Sequence, residues 1–101
     1  MVRVLVDIRP SLVALFFHRA FTRPVVEIDG VEWPATWGTT EVSLEVGAHE
    51  IAVFFRYKGR RTARLGMGTQ ELTVRDDTTT PPRVTARLGP RNGSTFKVTS
   101  A

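Results

Sequence analysis

The chain holds two histidines, His18 and His49, and no cysteine. A zinc site needs three or four N, S or O ligands at short spacing, and thiol chemistry needs a cysteine. No His-x-His or His-x-x-x-His pair occurs. His49 follows a turn and shares the register of Ile51 and Val53, which predicts a half-buried imidazole bonded to backbone at a hairpin. A serine nucleophile needs a base and an oxyanion site, and Ser11, Ser43, Ser94 and Ser100 stand in no Gly-x-Ser-x-Gly context. Glu41 and Glu45 flank Ser43 on one strand face. Without a cleft or sugar platform, that face reads as solvated rather than as a glycosidase pair. Gly66-Met67-Gly68 lacks the third glycine and the Gly-Lys-Ser/Thr of a phosphate loop, and reads as a bulge or strand bend. The expectation is therefore a non-enzyme with no catalytic, metal or cofactor-binding residues.

Binding chemistry is better represented. Arg56, Lys58, Arg60, Arg61 and Arg64 surround Gly59 with no acid among them. A hairpin tip with such charges can contact phosphates, although Arg60 and Arg61 face opposite sides if extended. Residues 1–55 carry a net −3 and residues 56–101 a net +7. This asymmetry fits an anionic partner; it also fits a plain composition bias, since twelve of the fourteen basic residues are Arg. Trp33 and Trp37 either stack a ligand or plug the core. Phe54 lies on the register opposite Val53 and Phe55, so a flat sheet exposes it unless a loop covers it. Phe16 and Phe17 pose the same question. The candidate partner-binding residues are Arg56, Lys58, Arg60, Arg61, Arg64, Phe54 and Trp37.

The elements that must position these residues are short strands. At 101 residues and 42% hydrophobic content, one domain spanning 1–101 with one core is expected. Val2, Val4, Val6 and Ile8 alternate with Arg3, Leu5 and Asp7, giving a strand that Pro10 ends. Residues 11–21 fit a short helix capped by Ser11, but their β-branched and aromatic content favours a strand. Val25–Ile28 leads into Asp29-Gly30, a type I′ turn signal, and Val31–Trp33 returns. After a loop at 35–40, Val42, Leu44 and Val46 alternate, Gly47-Ala48 turns, and His49 to Tyr57 alternate again. Further strands are expected at 63–67, 72–74, 84–88 and 96–98, with a polar connector at 76–82 and a turn at 89–95. About seven or eight strands at this spacing predict an all-β antiparallel sandwich. Ser11–Phe17 is the longest apolar run. It falls short of the roughly 20 residues that span a bilayer. As a signal peptide it is also poor, because Asp7 sits in the would-be basic region and no small-residue cleavage site follows before His18-Arg19. The expectation is a cytoplasmic protein, or a piece of something larger.

Ile28-Asp29-Gly30 followed by Val42-x-Leu44-x-Val46-Gly47-x-His49-x-Ile51-x-Val53 resembles the bacterial PEGA-type domain. It also resembles immunoglobulin-like and carboxypeptidase-regulatory-like sandwiches. The resemblance covers residues 25–57, extends to 62–74 by strand pattern only, and is weakest over 1–23 and 83–101. The family's Pro-Glu before the turn glycine is absent; Glu45-Val46 stands before Gly47. The resemblance implies a small immunoglobulin-like sandwich serving as an accessory or interaction module, and implies nothing about activity. The leading expectation is binding to protein, or self-association, through an edge strand or aromatic patch. The alternative is weak binding of nucleic acid or an anionic lipid surface through the basic hairpin 56–64.

Overall fold

Alternation decides most of the chain. In the computed structural model, which describes residues 2–11, 15–75, 81–89 and 95–100 (15 and 16 by backbone alone), eight strands and one short helix form. In chain order they are β1 (Val2–Arg9), α1 (Leu15–Phe21), β2 (Thr22–Ile28), β3 (Val31–Pro34), β4 (Gly38–Leu44), β5 (Gly47–Tyr57), β6 (Leu65–Val74), β7 (Arg83–Leu88) and β8 (Phe96–Ser100). The expected connector at 76–80 and turn at 90–94, with Leu12 and the Phe16 ring, lie outside the described residues.

The strands make two four-stranded sheets, ordered β4-β1-β7-β8 and β3-β2-β5-β6, so the fold is all-β. Every pairing is antiparallel except β1 with β7, which run parallel from Leu5 opposite Arg83 to Arg9 opposite Arg87. The inward faces meet in one core. Val4, Val6, Ile8, Val42, Val84 and Ala86 come from the first sheet, and Val26, Ile28, Ile51, Val53 and Val74 from the second. Each of the larger side chains contributes about 1.5–3 kcal/mol when fully buried, as an upper bound, because the unfolded chain already hides some apolar area.

Asp29 and Gly30 both have positive φ, 51° and 84°, as a type I′ turn requires, and this turn sets the β2–β3 register. The strands expected at 63–67 and 72–74 are one strand, β6, which begins at Leu65, with Ala63 and Arg64 left outside it. Opposite it, Val53 pairs with Gly68 and Phe55 with Leu65, so one extra residue bulges within Gly66-Met67-Gly68. Gly68 also brings β6 close against β8 of the other sheet: a Cβ there would stand 2.0 Å from the Phe96 carbonyl oxygen.

Residues 11–21 differ from the strand their composition favours, since α1 forms over Leu15–Phe21. Helical spacing stacks Phe17 on Phe21, with ring centroids 5.4 Å apart, and turns His18 inward. The Thr22 hydroxyl then donates to the His18 carbonyl at 2.8 Å and closes the last turn. These contacts outweigh a weak local preference for strand.

Candidate functional site

α1 closes one end of the sandwich and gathers rings from distant strands. The His18 ring packs edge-on against Phe55 at 4.9 Å and beside Trp37 at 5.2 Å, and Trp37 stacks on Phe96 at 6.0 Å. The Trp37 indole N–H is shared between the carbonyls of His18 (3.1 Å) and Thr22 (3.3 Å). Trp37 is thus largely a structural plug, and only its outer edge reaches solvent. It lines a shallow groove of about 380 Å³ with Arg19, Thr22, Arg23, Pro24 and Lys58, and no acid lines that groove. Beside the groove lies an exposed aromatic patch. Phe17, Phe21 and Tyr57 are 45%, 57% and 45% exposed. Phe17 stands 5.4 Å from Phe21 and 6.1 Å from Tyr57. The Lys58 amide donates to the Phe21 carbonyl (2.9 Å), and the Lys58 ammonium donates to the Arg19 carbonyl (3.3 Å), so cations border the rings.

Phe54 is not a surface residue. It is fully buried on the outer side of its sheet, with the Arg56 guanidinium 5.2 Å and the Arg64 guanidinium 5.3 Å from its ring centroid. Arg56 is itself 2% exposed. Its Nε donates to the Ala63 carbonyl (3.1 Å), Nη1 to the Arg61 carbonyl, and Nη2 to the Glu32 carboxylate (3.1 Å). Arg64 Nη1 donates to Glu27 Oε1 at 3.1 Å, and its Nη2 lies 2.8 Å from Oε2 as an ion contact. Chain 61–64 is therefore strapped over Phe54 by charge-assisted hydrogen bonds. Two of the five expected phosphate-facing cations are spent on that strap. Lys58, Arg60 and Arg61 stay exposed, and the Arg60 carbonyl accepts from Arg23 Nη2 at 3.3 Å.

No family model matches the chain, and neither a curated protein nor a solved structure matches it. What the chain binds must be read from its own surfaces.

At the far end of β5, His49 joins two turns. Its Nδ1 lies 2.6 Å from Asp29 Oδ2 and its Nε2 lies 2.7 Å from the Glu45 carbonyl. Asp29 Oδ1 accepts from the Glu50 amide at 2.9 Å. Both ring nitrogens are occupied, so neither is offered to a metal. The Glu45 carbonyl and then Asp29 raise the His49 pKa, while the Glu50 amide and then His49 lower that of Asp29. Burial alone lowers the His18 pKa. No described helix is long and apolar enough to cross a membrane.

Reading by residue type does not find Phe21, Tyr57 and Arg19 as one patch, because the contact joins α1 to the end of β5. The one available signal was helical spacing of Phe17 and Phe21, four residues apart.

Proposed function

We propose that this chain is a non-enzymatic interaction module that docks an acidic segment with apolar side chains, belonging to a partner protein, on its α1 end. The carrying observation is the cluster of Phe17, Phe21 and Tyr57, exposed together and bordered by Arg19 and Lys58. Rings left in water are unfavourable unless a partner covers them, and an apolar centre with a polar rim is the anatomy of a protein interface. The cationic rim selects for acids and against basic partners. The two edges of the β3-β2-β5-β6 sheet are poorer docking sites. β3 is four residues long and ends at Pro34, and β6 carries a bulge; both features blunt strand addition. The basic loop is also a poorer polyanion site than its sequence implies, with Arg56 and Arg64 committed to Glu32 and Glu27. An immunoglobulin-like or PEGA-like accessory domain fits this reading, because such domains serve as interaction modules.

The test is fluorescence polarisation with a panel of labelled peptides that combine Asp or Glu with Leu or Phe, against scrambled basic peptides. The Phe17→Ser/Phe21→Ser variant should lose most binding, and high salt should weaken binding only modestly. Binding that survives loss of both rings, or that vanishes with modest salt, would remove the proposal.

A further inference from the structure

The parallel pairing of β1 with β7 has an electrostatic consequence on the outer face of their own sheet. It sets Arg9 directly opposite Arg87, and the β7–β8 register sets Arg87 directly opposite Lys97. Their neighbours Ile8, Ala86, Leu88, Phe96 and Val98 face the core, so all three cations share the outer face, and all three are exposed. Like charges in direct cross-strand register are destabilising. Relief is uneven: Arg9 shares its charge with Asp7, whose two oxygens accept from its Nε, whereas among the described residues Arg87 and Lys97 gain none. Asp7 lies 3.2 Å from Arg9 and 4.0 Å from Arg83, and Glu41 lies 3.7 Å from Arg3. Among the described residues, Arg87 and Lys97 have no carboxylate within ion-pair distance. Arg9 and Arg87 also border a recess of about 380 Å³ with Pro10, Ser11 and Leu88.

We infer that the outer face of the β4-β1-β7-β8 sheet binds the phosphodiester backbone of a nucleic-acid duplex through the row Arg9–Arg87–Lys97. The inference is independent of the exposed aromatic patch, which lies on α1 and β5. Strands spaced about 4.8 Å apart spread the row over about 10 Å, enough for roughly three phosphates. Arginine forks suit phosphate oxygens. None of the large exposed apolar side chains of the described residues lies on β1, β4, β7 or β8. The face thus has no ring on which unpaired bases could stack and nothing to insert into a bilayer, which favours a duplex over a single strand or a membrane. Contacts to phosphate alone make the binding independent of sequence.

The experiment is fluorescence anisotropy with a short labelled DNA duplex, titrated at several salt concentrations. The wild-type chain should bind at low salt with a log–log salt slope of about −3. An Arg87→Thr/Lys97→Thr variant, which keeps strand-compatible residues, should bind at least about tenfold more weakly, with a slope near −1. It should melt no lower than wild type at low salt, since it loses cross-strand repulsion, and this shows that it folds. A Lys58→Ser/Arg60→Ser/Arg61→Ser variant should bind as wild type does. The inference is overturned by equal binding of the double variant, by loss confined to the triple variant, by binding to phosphatidylserine vesicles but not to duplex, or by no duplex binding at low salt.

Discussion

The two histidines stand near opposite ends of β5 and answer pH in opposite senses. His49 lies near the strand's start; His18 packs on Phe55, six residues further along, or about 20 Å at strand rise. At the His49 end both ring nitrogens face acceptors, Glu45 O and Asp29 Oδ2. A neutral imidazole has one N–H and can satisfy only one of them, so the proton is held and the pKa rises. At the His18 end the Thr22 hydroxyl spends its proton on the His18 carbonyl, and its oxygen accepts from His18 Nδ1–H at 3.1 Å. Among the described residues no carboxylate pairs with this ring; rings pack around it, and burial lowers its pKa. The same residue type has its charged form favoured at one end and its neutral form favoured at the other. The neighbours decide which, through the count of acceptors against the cost of desolvation.

The strongest way to break the comparison is to destroy one end. Gly68→Ala places a methyl 2.0 Å from the Phe96 carbonyl oxygen and 2.8 Å from its carbon. Backbone on both sides leaves no flexible side chain to yield, so β6 and β8 must separate. Phe96 stacks on Trp37 and packs against Phe55, so the damage runs into the His18 end. The expected cost is about 3 kcal/mol, the upper range for overpacking, read by urea unfolding. A change below about 0.5 kcal/mol, the level of an ordinary surface substitution, would mean that the sheets do not meet there.

A finer test uses pH. For His49 the folded pKa is raised. Its contribution is complete below the unfolded value near 6.5 and is lost as pH climbs through the folded value. For His18 the folded pKa is lowered. Its contribution is complete above about 6.5 and is lost as pH falls from there through the folded value. Stability measured from pH 5 to 9 should therefore show a wild-type advantage over His49→Gln of about 1 kcal/mol at the acid end, shrinking as pH rises. The difference between wild type and His18→Asn should shrink instead as pH falls. Parallel curves for either variant would show that its histidine does not titrate with folding.

These contrasts mark what sequence makes legible. Val2 to Ile8 and Val42 to Leu44 read as strands because a period of two is local, and Asp29-Gly30 reads as a hairpin because only a few residues adopt that turn. The placement of His49 at a hairpin, bonded to backbone, follows from the same local pattern. Three features do not. α1 has seven residues of mixed propensity, and its form is settled by where its rings pack. Phe54 occupies the outward register, and its burial depends on chain 61–64, which Arg56 and Arg64 hold over it from outside the local pattern. The Arg9–Arg87–Lys97 row exists only through the β1–β7 register, which joins residues far apart in the chain. Each missing piece is a non-local contact made by a side chain whose own neighbourhood carries no trace of it.

The smallest expected effect sharpens the contrast between the buried rings of the α1 end and its exposed ones. Phe55 packs on His18 and on Phe96, and Phe96 also stacks on Trp37, so truncating either must cost folding energy. Phe21 is 57% exposed, and Phe17 is the one described aromatic ring that it meets. Phe21→Ser removes apolar surface that water already wets, so stability should change by less than about 0.5 kcal/mol. The His18 resonances in an NMR spectrum should stay in place, since the ring faces Phe55 and Trp37 rather than Phe21. Solubility should rise, because an exposed apolar patch shrinks. A loss of stability comparable to that of Gly68→Ala would mean that Phe21 holds α1 in position, and the patch would then be a structural seam rather than a surface kept for a partner.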